Sequence, residues 1–182
     1  MGRMWTLVLD TATPYLSLGL FRAEAGVGRV KRVERRHEEV LFGLLEEVLK
    51  EVGAGREEIG TLVLGEGPGS YTGLRIALAA GLGLAQALGA RVFGASSLLA
   101  ACWPYLKEGE PLTPLFTARN GLFYGATYTL EGGRPKEVAP PRKLKAKELP
   151  QAGRLLLDAP PDPRALYELL PFAHEGVEPL YL

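Results

Sequence analysis

The sequence predicts an α/β fold, a mixed β-sheet flanked by helices. Three observations carry that expectation. Short apolar runs and helical patterns follow one another as strand, hairpin, strand, helix, strand, helix, strand, the order that lays helices on the faces of a partly parallel sheet. Residues 36–52 and 72–88 carry the two long helical patterns. Hydrophobic residues make up 47% of the 182, ample for a packed core and incompatible with global disorder. The length suits one domain, or two small lobes sharing a core.

Met4–Asp10 is a short apolar run of the kind buried in a sheet, and 11–14 (Thr-Ala-Thr-Pro) breaks it as a turn. Tyr15–Phe21 is its hairpin partner. The charged segment Val30–Arg35 reads as a third strand, exposed on one face or at an edge. From Arg36 to Val52, apolar Val40, Leu41, Leu44, Leu45, Val48, Leu49 and Val52 form a one-sided helical stripe that Gly53 and Gly55 end. Thr61–Leu64 is a second buried strand. The glycine-rich loop 65–73 leads into a helix over Thr72–Leu88, then a strand at Arg91–Phe93 and a helix from Ser96 to about Tyr105. Leu112–Arg119 and Leu122–Leu130 read as strands around Asn120-Gly121, a strong hairpin signal. Glu131–Pro141 is rich in Pro and Gly and reads as loop. A strand at Leu155–Asp158, a helix at Pro163–Leu170 and an extended tail at Glu178–Leu182 complete the chain.

Composition excludes several classes. Lys plus Arg and Asp plus Glu are 21 each, and the two halves of the chain are separately balanced, which argues against a binder driven by phosphate electrostatics alone. The basic clusters Arg29–Arg36 and Arg134–Lys147 read first as solvated edges and loops. One cysteine, Cys102, precludes an internal disulfide. The two histidines, His37 and His174, and the absence of a cysteine cluster leave no usual zinc or iron ligand set. No signal-peptide pattern opens the sequence and no apolar run is long enough to span a bilayer, so a cytoplasmic, non-membrane protein is expected. Scarce amides (Asn120, Gln86 and Gln151) and 14 prolines fit a thermophile source.

Two features are candidates for chemistry. Gly67, Gly69 and Ser70 lie in a strand–loop–helix segment whose backbone N–H groups can hold an anion, and Ser70 or Thr72 can cap the helix. The same glycines suit a demanding turn where a helix packs on its strand. The segment is neither a Walker loop nor a dinucleotide fingerprint. Asp10 and Thr11, at the end of a buried strand, suit either Mg²⁺ or phosphate positioning or a side-chain-capped turn.

The Thr72–Leu88 segment is the most informative. After Arg75 its only polar side chain is Gln86. At about 100° per residue, Leu74, Leu78, Leu82, Leu84 and Leu88 form one broad side with Ala77, Gly81 and Ala85. Ile76, Ala79, Ala80, Gly83 and Ala87 form a second, smaller-residue face. A helix apolar nearly all round is expected to be buried nearly all round. Two interior glycines cost about 1 kcal/mol each relative to Ala, which close approach of another helix would offset. A second subunit is the favoured cover, since the 36–52 helix already supplies an internal layer.

The string 67–75 (Gly-Pro-Gly-Ser-Tyr-Thr-Gly-Leu-Arg), with 9–12 (Leu-Asp-Thr-Ala), Ser17, His37 at a helix start and 95–98 (Ala-Ser-Ser-Leu), resembles the bacterial TsaB (YeaZ) family. The resemblance covers residues 4–105 well and is looser beyond, where Thr117 stands in place of the family's Asp. It implies an actin/Hsp70-like (ASKHA) fold of two ribonuclease H-like lobes, here 1–105 carrying the dimerisation helices and a shortened 106–182. It implies an accessory, non-catalytic subunit for making threonylcarbamoyl-adenosine beside the tRNA anticodon. The partner TsaD supplies metal and transfer chemistry, the ATPase TsaE joins the assembly, and the chain alone pairs with itself. The implied interface comprises His37, Leu41, Gly73, Arg75, Ile76, Ala79, Ala80, Gly83, Gln86 and Ala87. A residual weak ATP or ADP site would fall at Asp10, Thr11, Gly67, Gly69 and Ser70. tRNA contact would be indirect. The rival class is an active ASKHA-type small-molecule kinase or ATPase, for which a second nucleotide loop is not evident beyond Asp158.

Overall fold

The computed structural model describes residues 5–182. Met4, expected to open the first strand, lies outside the described residues. In chain order the elements are β1 (Trp5–Asp10), β2 (Tyr15–Arg22), β3 (Ala25–Arg32), α1 (His37–Val52), β4 (Ile59–Gly65), α2 (Tyr71–Leu88), β5 (Arg91–Ala95) and α3 (Ser97–Cys102). Then come β6 (Leu112–Thr117), β7 (Leu122–Glu131), β8 (Arg134–Lys145), β9 (Arg154–Leu157), α4 (Pro163–Glu168) and β10 (His174–Glu175). They form a six-stranded sheet in the order β10-β5-β4-β1-β2-β3 and a four-stranded sheet in the order β8-β7-β6-β9.

In the first sheet β1 runs antiparallel to β2 and parallel to β4, and β4 parallel to β5. Both faces are covered, which explains why β1 is buried at every position and lacks polar alternation. Leu7 and Leu9 point to the α1 and α2 side, into a core with Leu41, Leu44, Leu45, Val48, Leu62, Leu64, Ala77 and Ala85. Val8 and Val63 point to the other face, against Ala100 of α3, Ala165 and Leu166 of α4, and Leu169 at the C-cap of α4. The opposite side of α3 packs Leu98, Ala101 and Cys102 on Leu112, Phe116, Ala126 and Tyr128 of the second sheet, so α3 is wedged between the two sheets. Residues 163–175 return to the first sheet through α4 and β10.

Two expected elements are corrected. The third strand is Ala25–Arg32, not Val30–Arg35; Glu34 sits at φ 55°, outside strand conformation, and Val33 turns into the core. The segment expected as loop, Glu131–Pro141, enters a twelve-residue strand, β8, paired along β7 from Glu131↔Arg134 to Leu122↔Lys145. Pro135, Pro140 and Pro141 are tolerated because β8 is an edge strand, where a missing N–H can face outward.

Candidate functional site

The end of β1, the glycine loop and the start of α3 meet in a closed joint. Asp10 is 0% exposed. Its Oδ2 accepts from Ser97 Oγ at 2.6 Å and its Oδ1 from Ala12 N at 2.9 Å. Burial pushes its carboxyl up to about 6, against the lowering effect of those two bonds. Ser97 Oγ also accepts from Gly67 N at 2.9 Å, and Ser97 N donates to Gly67 O at 3.0 Å. Thr11 Oγ1 donates to Gly73 O and accepts from Ala77 N at 3.1 Å, so its hydroxyl is inserted between an i, i+4 pair of α2. Ser70 Oγ caps α2 by accepting from Gly73 N at 3.0 Å.

The structure thus brings Asp10, Thr11, Gly67, Gly69 and Ser70 together, but as a packed hinge between β1, α2 and α3. A Cβ on Gly69 would lie 2.2 Å from Ala12 O, and one on Gly73 2.4 Å from Thr11 O, so these glycines permit backbone-to-backbone approach within the chain. No cluster of three metal-ligating side chains is found among the described residues.

A tail closes over this hinge. Glu66 accepts from His174 Nε2 at 2.7 Å and from Glu178 N, and Leu180 N donates to Glu66 O at 2.8 Å. Tyr181 packs on Tyr71 with ring centroids 5.1 Å apart. Partial burial lowers the affinity of His174 for its proton, but the bond to Glu66 and the charge of that carboxylate outweigh it, so the imidazole is raised overall. Neither Glu66 nor Ser97 stands out in the sequence as functional. Ser97 carried a signal nonetheless, since Ser96 alone caps α3 by accepting from Leu99 N.

The second site is the outer surface of α2 beside α1. Leu74, Ala77, Gly81 and Ala85 face the sheet. Arg75, Ala79, Gly83, Gln86 and Ala87 are exposed, and Ile76 and Ala80 are half-buried. The helix is therefore not buried all round by its own chain. Leu82, expected on the inner side, is 46% exposed and belongs to the outer face. A groove of about 360 Å³ runs between the helices, lined by Glu38, Leu41, Phe42, Thr72, Arg75, Ile76, Ala79 and Ala80. Phe42, 45% exposed, stands at its rim. Its signal was an aromatic on α1 outside the inward stripe.

The two interior glycines of α2 divide by face. A Cβ on Gly81 would lie 2.6 Å from Leu64 Cδ2, so Gly81 serves close packing on β4. A Cβ on Gly83 would meet nothing within 4 Å. Three residues implied for the interface are turned inward. Leu41 is 3% exposed and forms the groove floor, and Gly73 abuts Thr11 O. His37 is 4% exposed, with Nε2 at 2.8 Å from Thr13 O and 3.1 Å from Tyr15 O, so its ring holds the β1–β2 turn rather than facing outward.

This strand order, with helices on both faces, defines the protein as an α/β fold built on a mixed sheet, the fold that YeaZ shares. YeaZ from Pseudomonas aeruginosa superposes with a TM-score of 0.86 over 100% of both chains at 24% identity, which speaks to the fold. In sequence the chain is 33% identical over 131 residues to the tRNA threonylcarbamoyladenosine biosynthesis protein TsaB of Escherichia coli, covering 69% of this chain and 55% of that protein. It is 25% identical over 142 residues to TsaB of Bacillus subtilis, covering 78% and 62%. The chain thus spans little more than half the length of these curated relatives. Residues 30–163 match the family model described as TsaD: tRNA N6-adenosine threonylcarbamoyltransferase, and the chain belongs to that family, in its TsaB (YeaZ) branch.

Proposed function

We propose that this chain is a non-catalytic accessory subunit of the machinery that forms threonylcarbamoyl-adenosine in tRNA, acting by pairing with TsaD through α1 and α2. The observation that carries the proposal is the outer face of α2. Ala79, Leu82, Gly83 and Ala87 are small or apolar and exposed, and the long apolar groove at Phe42 and Ile76 adjoins them. Gly83 costs helix stability and contacts nothing within its own chain. A glycine there lets another helix approach at backbone distance. The chain supplies shape rather than reacting groups. Asp10, the acid best placed for phosphate chemistry, has both oxygens bound inside the hinge. In this role the subunit restricts its partner's conformations toward the active one. The same surface serves a homodimer when the chain is alone, and TsaE joins the larger assembly.

The test is Gly83→Leu, read by sedimentation velocity of the chain alone and mixed with TsaD of the same organism. The open space at Gly83 means the monomer folds and melts no lower than wild type. Pairing should weaken by about 3 kcal/mol, a hundredfold in Kd, from overpacking at the centre of the contact. Wild-type affinity for both self and TsaD would overturn the interface assignment.

A further inference from the structure

One end of the second sheet gathers cations that make no ion pair within the chain. β8 pairs with β7 so that Lys145 lies opposite Leu122, Lys143 opposite Tyr124 and Arg142 opposite Gly125. The tight turn Arg119–Gly121 is folded against the same end, with Ala118 N donating to Leu122 O at 2.9 Å. Lys147 follows in the turn Ala146–Glu148. All five cations are exposed, and among the described residues none has a carboxylate oxygen within 4.0 Å. Glu148 and Asp158 hydrogen-bond locally and form no ion pair with these cations. Glu148 Oε1 accepts from Lys145 N at 2.8 Å, and Asp158 accepts from Thr117 N at 2.7 Å and Thr117 Oγ1 at 2.6 Å.

Seven Lys and Arg side chains elsewhere among the described residues pair with carboxylates, Lys31 with Glu47, Arg32 with Glu34 and Arg91 with Glu175 among them, while others, such as Arg35, Arg36 and Lys50, stand singly; what sets this end of the sheet apart is that five such cations are gathered at one place. At the far end of β8, Lys136 pairs with Glu131 at 2.7 Å, and Arg134 lies over the Phe172 ring. Lysine on an edge strand discourages aggregation, but that purpose does not require the cations to be gathered at one end of the strand together with Arg119 and Lys147.

We propose that Arg119, Arg142, Lys143, Lys145 and Lys147 form a contact surface for the phosphodiester backbone of RNA. The proposal rests on the reading that the chain works in tRNA modification, and it extends that reading from an indirect to a direct contact. Lys143 and Lys145, two residues apart on an extended strand, share one face and present charges about 7 Å apart, and Arg142 flanks them from the other face of the same edge strand. That regular spacing suits a linear array of phosphates better than a compact acidic site. Lys143 Nζ lies over the half-buried Tyr124 ring, 5.9 Å from its centroid, which anchors the lysine stem on the sheet with its charge facing solvent. A chain neutral overall then binds RNA weakly by itself and orients it in the assembly.

The experiment measures retention of an unmodified tRNA transcript by the full chain, by filter binding across a salt series. The variant is Arg142→Gln/Lys143→Gln/Lys145→Gln/Lys147→Gln. A control variant removes cations on β3, an edge strand of the first sheet, Arg29→Gln/Lys31→Gln/Arg32→Gln. Wild type should bind with affinity that falls as salt rises. The four-site variant should bind at least tenfold more weakly at low salt, with its log–log salt slope reduced by about 3; the control should match wild type. Absence of tRNA binding by wild type, or equal losses in both variants, would overturn the proposal. So would displacement of tRNA by polyglutamate at equal charge concentration, which would assign the surface to an acidic protein. Sedimentation of the four-site variant with TsaD separates the two readings, because pairing through α1 and α2 should be unaffected.

Discussion

Replacing Asp10 with Asn tests the hinge on which α2 is mounted. The substitution keeps shape and removes the charge. Asp10 is fully buried, and its carboxyl is raised from 3.8 to about 6. At 1.36 kcal/mol per pH unit, the folded state carries a penalty of about 3 kcal/mol for the ionised form. The sign follows from proton binding. Between about pH 4 and pH 6 the folded chain holds a proton that the unfolded chain has released, so this group's contribution to stability falls as pH rises through that window and is flat above it. Other carboxylates titrate in the same range, so the informative quantity is the difference in melting temperature between Asp10→Asn and wild type. For a chain of this length about 3 kcal/mol corresponds to roughly 6–12 °C. Thermal melts by circular dichroism from pH 4 to pH 7 should show the variant gaining on wild type by that amount as pH rises. A difference independent of pH, or one that shrinks toward pH 7, would mean that the folded chain does not disfavour the ionised carboxylate, and the account of Asp10 as a buried structural acid would fail.

Two further substitutions probe the same helix. Gly83→Ala should stabilise the monomer by about 1 kcal/mol from helix propensity alone, whereas Gly81→Ala gains the same term but forces Leu64 aside, and should be neutral to destabilising by about 2 kcal/mol; equal effects in denaturant melts would mean that the two glycines do not face different surroundings. Thr11→Val removes the hydroxyl between Gly73 O and Ala77 N and should cost about 1–3 kcal/mol, with hydrogen exchange rising first at the amides of residues 73–77; unchanged protection there would refute the hydroxyl's role in the helix ladder.

The first sheet is legible in the sequence because burial on both faces leaves unmixed apolar runs, as in Trp5–Asp10 and Ile59–Gly65, with Gly53 and Gly89 in left-handed conformation ending the helices between them. The second sheet is less legible. β8 is exposed along most of its length, so no apolar alternation marks it, and its prolines signal loop in a segment whose strand character comes only from pairing with β7. The same limit applies to Leu82. Its chemistry places it with the inner leucines, but at helical spacing it lies at the edge of that arc, and the sheet beneath α2 is covered by Leu74, Ala77, Gly81 and Ala85. At the candidate site, the residue types were visible and their direction was not. Asp10, Thr11 and Ser70 are suited to a phosphate, and only the closeness of Gly69 and Gly73 to the β1–β2 turn shows that their polar groups are used within the chain.

The hinge and the helix face belong to one device. If α2 pairs with a partner as proposed, any fluctuation of the helix would carry an ordering cost on every encounter, and that cost comes directly out of the affinity. Here the N-terminal turns of α2 are fixed from several directions: Thr11 inside its ladder, Ser70 at its cap, Ser97 and Asp10 beneath its entry loop, and the Glu66-bound tail with Tyr181 against Tyr71. Gly81 seats its middle on Leu64. Asp10, Thr11 and Ser70, residue types suited to holding a phosphate, are bonded within this joint and the helix instead. Ligand binding and rigid presentation compete for the same side chains, and in this chain the rigid presentation has them. Loosening the hinge through Thr11 should therefore weaken pairing even though no residue on the outer face has changed.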